Sequence, residues 1–359
     1  MLTFLNSNQY VIDIQPTAHS RINEVDFNQL TFGKIFTDHM FECDYENGVW
    51  TNPTIKPYGP LTIYPGTKVL HYGQAVFEGM KAFKDADGSI FLFRPEENFK
   101  RINQSSERLA IPHFPKDLFF EAIEKLLHLD QGWVHQGQGH AMYIRPFVFA
   151  SETGVSAAAA TAYKFMVIMS PVTAYYSEKL KVLIAEKYSR AADGGVGYAK
   201  AAGNYAAQFY PTNLARAKGF HQVIWTDAQN HEFLEEAGTM NVFFRIQDTL
   251  ITAPTSDRIL DGVTRKSIID LARAQGIDVS IRKFSVTELI AAHQSGDVKE
   301  IFGSGTAATV SAISGFSYQE NFYNIEDQDD SYAHLFKGLL QDIQYNRSDD
   351  EFGWRHQVL

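Results

Sequence analysis

Residues 188–216, YSRAADGGVGYAKAAGNYAAQFYPTNLAR, set one lysine, Lys200, among Gly194, Gly195, Gly197, Ala199, Ala201, Ala202 and Gly203. Glycine and alanine bring no competing charge and let another molecule approach the backbone closely, so the lysine reads as placed for chemistry. Downstream, Tyr205, Ala206, Phe209, Tyr210 and Leu214 recur at helical spacing and Gly219 follows as a C-cap, which predicts a helix with Lys200 just before it or at its start. Pro211 inside that pattern predicts a kink or a late helix start. A solvated lysine in a Gly/Ala-rich turn would have the same local composition, and only the rest of the chain separates the two readings.

The chain has 359 residues, 45% of them hydrophobic, enough to bury large cores and to divide into two domains. Its net charge of −10 and scattered basic residues argue against a nucleic-acid or anionic-membrane partner. The first residues lack a basic segment followed by an apolar one, and no apolar run approaches the roughly 20 residues of a membrane span, so a soluble, cytoplasmic protein is expected. Cys43 is the single cysteine, which rules out an intrachain disulfide and a cysteine-only metal site. The twelve histidines fall singly, with no HExxH or His-x-His pair, so no metal is expected. Nor is there a GxSxG serine-hydrolase motif.

Between residues 61 and 93, LTIYPGTKVLHYG, VFEGMKAFK and SIFLFR are rich in aromatic and β-branched residues and read as antiparallel strands, with His71 a structural residue beside a turn. Pro95, Glu96 and Glu97 open a helix from which Arg101 projects, and Leu118, Phe119, Ala122, Ile123, Leu126 and Leu127 mark a second. AMYIRPFVFA and AYKFMVIMSPV follow as strands. The pattern then breaks, placing a first domain at 1–170, a connection at 171–181 and a second domain at 182–359. In the second half HQVIWTD, HEFLEEA, NVFFRIQ and LITAP read as strands, a helix runs from Thr264 to Ala274, and Ser285 with Glu288 forms a capping box for another. The expected class is α/β of the α+β kind: two domains of largely antiparallel sheets with flanking helices.

Four blocks, KAAGNY from Lys200, LEEAGTMNVFF from Leu234, LDGVTR from Leu260 and GSGTAA from Gly303, stand in fixed order with HYGQAVFEGMKAF at 71–83. As a set they resemble the branched-chain aminotransferases, pyridoxal-phosphate enzymes whose fold is shared with D-amino-acid aminotransferase and aminodeoxychorismate lyase. The resemblance runs from these residues to DIQY at 342–345. It implies transamination of leucine, isoleucine and valine with 2-oxoglutarate by a homodimer. It assigns the cofactor to Arg101, Lys200, Tyr205, Glu236, Val263, Thr264 and Thr306, and the substrate to Tyr72, Phe77, Tyr143, Arg145, Tyr175, Thr306 and Ala307.

The residues can support that chemistry. A lysine amine forms a Schiff base with an aldehyde, and a small-residue pocket favours this by desolvating the amine and keeping other charge away. The cofactor works as an electron sink only while its ring nitrogen stays protonated, which calls for a carboxylate. Glu235 and Glu236 are successive on a strand, so one of them faces the ring, and the resemblance picks Glu236. Glu235, on the other face, is expected to be dispensable. A free helix start at Gly262, Val263 and Thr264 favours an anion, as do the backbone N–H groups of GSGTAA with the Thr306 hydroxyl. Arg145 lies two residues from Tyr143 on one strand, so both face the same way. Its planar fork suits a substrate carboxylate as well as it would suit a core acid.

Three rivals remain. The related D-amino-acid aminotransferase or lyase would share every cofactor residue, although the blocks at Phe77–Lys81 and Tyr143–Pro146 favour the branched-chain group. A regulatory protein could carry the cofactor without turnover. Gly303, Gly305 and Ala308 also fit a loose dinucleotide fingerprint, which requires a helix directly after the glycines, whereas TAATVSAISG reads as extended. The cysteine pair that some relatives carry after GSGTA is missing, so no thiol switch of that type is expected.

Overall fold

The computed structural model describes residues 10–173, 178–307 and 309–359, and the elements below are those among them. The chain divides after Thr173 into two compact units, and its last four residues, His356–Leu359, belong to the first. The connection expected at 171–181 includes residues 174–177, outside the described residues, and so is Tyr175.

In the first unit the strands run in the order Asp13–Ile14, Val49–Pro57, His39–Glu46, Tyr163–Val172, Ala141–Ala150, Met80–Lys84 and Ile90–Phe93, with Ala75–Phe77 pairing along Ala141–Ala150. The pairing is antiparallel except where Asp13–Ile14 lies parallel to Val49–Pro57. Successive side chains of a strand take opposite faces, and the strand Ala141–Ala150 uses both. Met142, Ile144 and Val148 enter a core with Phe41, Cys43, Ile55, Phe165 and Val167. The helices Pro95–Arg108 and Lys116–Leu129 close that core with Ile102, Leu118, Phe119, Ala122, Ile123, Leu126 and Leu127. Tyr143, Arg145 and Phe147 point the other way. The C-terminal residues bond back into this unit, Val358 N to Ile90 O at 2.8 Å and Ile90 N to Leu359 O at 3.1 Å.

One expected strand is absent. Residues 61–68 form no strand, and Val69–Tyr72 is a short helix closed by Gly73 in the left-handed region. Pro65 removes a donor from the middle of the segment, Pro60 removes another just before it, and Gly66 adds no side chain to pack. His71 therefore sits on this helix, its Nε2 2.9 Å from Pro65 O. The long hairpin His39–Glu46 with Val49–Pro57 went unrecognised, because Asn52 and Pro53 interrupt its pattern. Cys43 is fully buried and donates to Thr51 O at 3.1 Å, and burial pushes its thiol up to about 12, leaving it without thiolate character.

In the second unit the order is Leu234–Ala237, Gln222–Thr226, Leu180–Ile184, Thr309–Tyr318, Val298–Gly305, Asn241–Ile246, Thr249–Thr252 and Val279–Ile281, with Asn321–Asn324 beside Thr309–Tyr318. Leu180–Ile184 is parallel to both its neighbours, and Thr249–Thr252 to Val279–Ile281; the other pairs are antiparallel. The helices are Ala202–Ala217, Val263–Ala274, Val286–Gln294 and Tyr332–Gln344. Ser285 caps the third by accepting from Glu288 N, as its capping box predicts. The helix after Lys200 starts at Ala202, so Pro211 sits inside it and does not delay its start. Leu234–Ala237 and Asn241–Ile246 follow one another through a tight turn closed by an Ala237–Met240 bridge, which brings Glu236 beside Asn241. Among the described residues no helix is long and apolar enough to cross a membrane.

Candidate active site

Lys200 stands two residues ahead of its helix and is half-buried. Its Nζ donates to the Tyr205 hydroxyl at 2.9 Å and lies 5.4 Å from the centre of that ring. Several contacts hold the preceding loop. Asn204 donates to Val196 O at 2.9 Å and Ala199 O at 3.0 Å, Gly194 N to Asp257 Oδ2 at 3.0 Å, and Tyr198 N to Asp257 O at 3.0 Å. Gly197 lies flat on the same segment: a Cβ there would come within 2.6 Å of Asp257 O. The glycines thus serve a close approach of backbone to backbone, in addition to leaving space for another molecule.

Both glutamates of LEEA are buried, Glu235 4% and Glu236 5% exposed. Glu236 Oε2 accepts from Asn241 Nδ2 at 3.2 Å and Leu260 N at 3.3 Å, and Oε1 lies 2.7 Å from Arg190 Nη1. Oε1 nevertheless accepts no well-directed hydrogen bond among the described residues. Burial pushes the Glu236 carboxyl up to about 7. Arg190, the Leu260 N–H and the charge of Lys200 pull it down.

Glu235 does face elsewhere, as strand alternation requires, but it is neither exposed nor idle. It is paired with Arg258 Nε, and Arg258 also holds Asp193 in the lysine loop. Burial raises its carboxyl and Arg258 opposes the rise. Glu235 thus has a partner the sequence did not indicate, and through Arg258 it ties the loop to the strand.

Gly262 caps the helix Val263–Ala274 at its N-terminus, so Val263 and Thr264 present the free N–H groups the sequence predicts. Gly262 packs against Asn241 Oδ1 too closely for any side chain, and Asn241 in turn donates to Leu260 O at 2.9 Å. Ser304 is paired with Asn241, which brings the GSGTA turn to the same edge, with Thr306 and Ala307 half-buried in it. A strand, Thr309–Tyr318, follows that turn, so the dinucleotide reading lacks its helix. Lys200, Tyr205, Glu236, Val263, Thr264, Thr306 and Ala307 all lie in the second unit.

In the first unit Phe77, Tyr143 and Arg145 converge. The Arg145 guanidinium lies 4.5 Å from the Phe77 ring centre and donates to the Tyr143 hydroxyl at 2.9 Å. Its Nε is buried without a partner among the described residues, and no carboxylate there pairs with it. Gly79 leaves the space that the Tyr143 hydroxyl fills. Tyr72, 45% exposed, bonds instead to Val155 O. Arg101 is clasped by fully buried Glu78, Nε to Oε1 at 2.6 Å and Nη2 to Oε2 at 2.9 Å.

Residues 75–316 match the family model of class IV aminotransferases. Branched-chain-amino-acid aminotransferase 2 of Bacillus subtilis is 41% identical over 93% of this chain and 93% of its own. A probable branched-chain-amino-acid aminotransferase of Staphylococcus aureus is 41% identical over 91% and 93%. The branched-chain aminotransferase of Thermobaculum terrenum in its pyridoxal-phosphate form shares the fold, with a TM-score of 0.75 at 20% identity over 90% of this chain and 98% of that one. The chain belongs to the class IV aminotransferases.

Sequence reasoning missed Arg190, Arg258, Asn241 and Glu78 as parts of these sites. The signal for Arg190 was slight: a cation ten residues before Lys200 in a stretch otherwise nearly free of charge. Glu235→Gln is expected to leave Arg258 poorly compensated and to lower stability by about 1–3 kcal/mol, measured by urea denaturation. A variant as stable as the parent would show that the Glu235–Arg258 pair does not hold the loop.

Proposed function

We propose that the protein is a pyridoxal-phosphate-dependent transaminase that moves the amino group of leucine, isoleucine and valine to 2-oxoglutarate. The observation that carries this is the joint placement, in one unit, of an amine at Lys200, a hydroxyl bonded to it at Tyr205, and a buried carboxylate whose Oε1 accepts no directed hydrogen bond. That acceptor is what a protonated ring nitrogen requires, and the free N–H groups at Val263 and Thr264 suit a phosphate, so the residues fit the cofactor. The relatives at 41% identity support the substrate class.

When bound, pyridoxal phosphate supplies an electron sink for the charge left at the substrate Cα. Lys200 is the base that takes the proton from that carbon, and Tyr205 orients the amine for it. Glu236 keeps a proton on the ring nitrogen. Val263, Thr264 and the Thr306 hydroxyl receive the phosphate; Arg101, oriented by Glu78, contributes positive charge to it. Tyr72, Phe77, Tyr143, Tyr175 and Ala307 are assigned to the substrate, and Arg145 to the side-chain carboxylate of glutamate and 2-oxoglutarate. Phe77 and Tyr143 give a dry wall for an aliphatic chain, while the guanidinium lying against them offers a carboxylate the cation it would otherwise lack. The reading extends to a cytoplasmic homodimer, for which Phe209, Tyr210 and Leu214, exposed on the helix Ala202–Ala217, supply apolar surface.

Transamination with a panel of amino acids tests the reading. Leucine, isoleucine and valine are expected to react with 2-oxoglutarate, and Lys200→Ala to fold and do nothing. Because Glu236 must be ionised, the rate is expected to fall as pH drops through about 7, and Glu236→Gln to lose that dependence together with much of the rate. A panel in which only D-amino acids react would place the chain with its other fold relatives.

Arg145→Met is expected to raise KM for glutamate and 2-oxoglutarate by a factor corresponding to roughly 2–5 kcal/mol, and to raise that for leucine far less. An equal loss for both classes would assign Arg145 to the fold or to the α-carboxylate.

A further inference from the structure

Arg190 is 3% exposed at its side chain, and its Nη1 touches three segments. It lies 2.7 Å from Glu236 Oε1 and donates to Gly197 O at 3.1 Å and Arg258 O at 2.8 Å. Gly197 is three residues before Lys200. Arg258 is two residues before Leu260, whose N–H also donates to Glu236. An arginine that only closed a loop would need the two carbonyls and no carboxylate. One that only neutralised an acid would not need to sit between the lysine loop and the segment leading to the phosphate-side helix.

We infer that Arg190 is a positioning residue: it sets its positive charge against Glu236 and fixes that carboxylate to the loop that delivers Lys200, so one guanidinium sets both. The groups that face Glu236 make this specific. Arg190, Lys200 and, from the helix start, Arg265 are cations, Glu235 opposes them, and Asn241 and Leu260 supply hydrogen bonds. Lys200 cannot be a constant counter-charge, because its amine takes up and gives off protons in the reaction. A guanidinium stays charged at every working pH, and here its Nη1 reaches the carboxylate and both carbonyls. Behind this lies the transaminase reading, in what Glu236 and Lys200 are for; the action of Arg190 on Glu236 needs no cofactor.

The test is made on apoprotein labelled with 13C at glutamate carboxyls, following Glu236 by NMR, with Glu236→Gln to identify its signal. In Arg190→Gln the titration midpoint of Glu236 is expected to rise by about 1–3 pH units. The affinity for pyridoxal phosphate at neutral pH, read by tryptophan fluorescence, is expected to fall at least about tenfold and to recover as pH is raised past the new midpoint. Arg190→Lys keeps the charge, so its Glu236 midpoint is expected to stay within about half a unit of the parent's. An unmoved midpoint in Arg190→Gln overturns the inference. If that variant does not fold, a midpoint in Arg190→Lys raised as far as expected for the glutamine overturns it instead. Apoprotein that shows the shift but binds no pyridoxal phosphate would sink the transaminase reading and leave the effect on Glu236 standing.

Discussion

An ionised carboxylate at Glu236, buried on the strand Leu234–Ala237, is what the second unit is arranged to tolerate. An unpaired charge taken out of water costs several kcal/mol even after relaxation, and here Arg190, Leu260 and Asn241 offset it. Those partners come from chain segments far apart in sequence, near 190, 241 and 260, so the charge is accommodated only once all three have packed together. The lysine loop has too little apolar surface to order itself. It is ordered by the same contacts, through Arg190, Asp257 and Asn204. The chemistry and the local fold therefore rest on one set of interactions.

The first unit handles its arginines in two ways. Arg101 is matched by a buried carboxylate in a bidentate pair, which fixes its orientation and spends much of its charge. Arg145 is given aromatic faces and one hydroxyl, which support the guanidinium without neutralising it. A cation held that way keeps an attraction for an anion from outside, while its surroundings remain apolar enough for a hydrocarbon side chain.

Much of this was legible in the sequence because the relevant signals are local. Alternation marked the strand Ala141–Ala150 and put Tyr143 and Arg145 on one face. Gly262 before a helical pattern marked the helix start, and the residue types after GSGTA excluded a nucleotide-binding helix. What stayed hidden is long-range. Nothing near Glu235 reveals Arg258, twenty-three residues away, so a structural ion pair looked like a spare acid. Nothing near Lys200 reveals that Gly197 is glycine because residues 257–258 press against it. The strand expected through residues 61–68 failed for a local reason that was available: Pro65 and Gly66 interrupt its β-branched residues.

The central claim is that Lys200 is the amine that engages the cofactor's aldehyde carbon. Borohydride reduction of the holoenzyme, followed by proteolysis and mass spectrometry, fixes the cofactor to whichever lysine holds it. The competing candidate on physical grounds is Lys81, whose amine burial lowers to about 8. The account predicts a single pyridoxyl-bearing peptide containing Lys200; a label on Lys81 or any other lysine, with Lys200 unmodified, would contradict it.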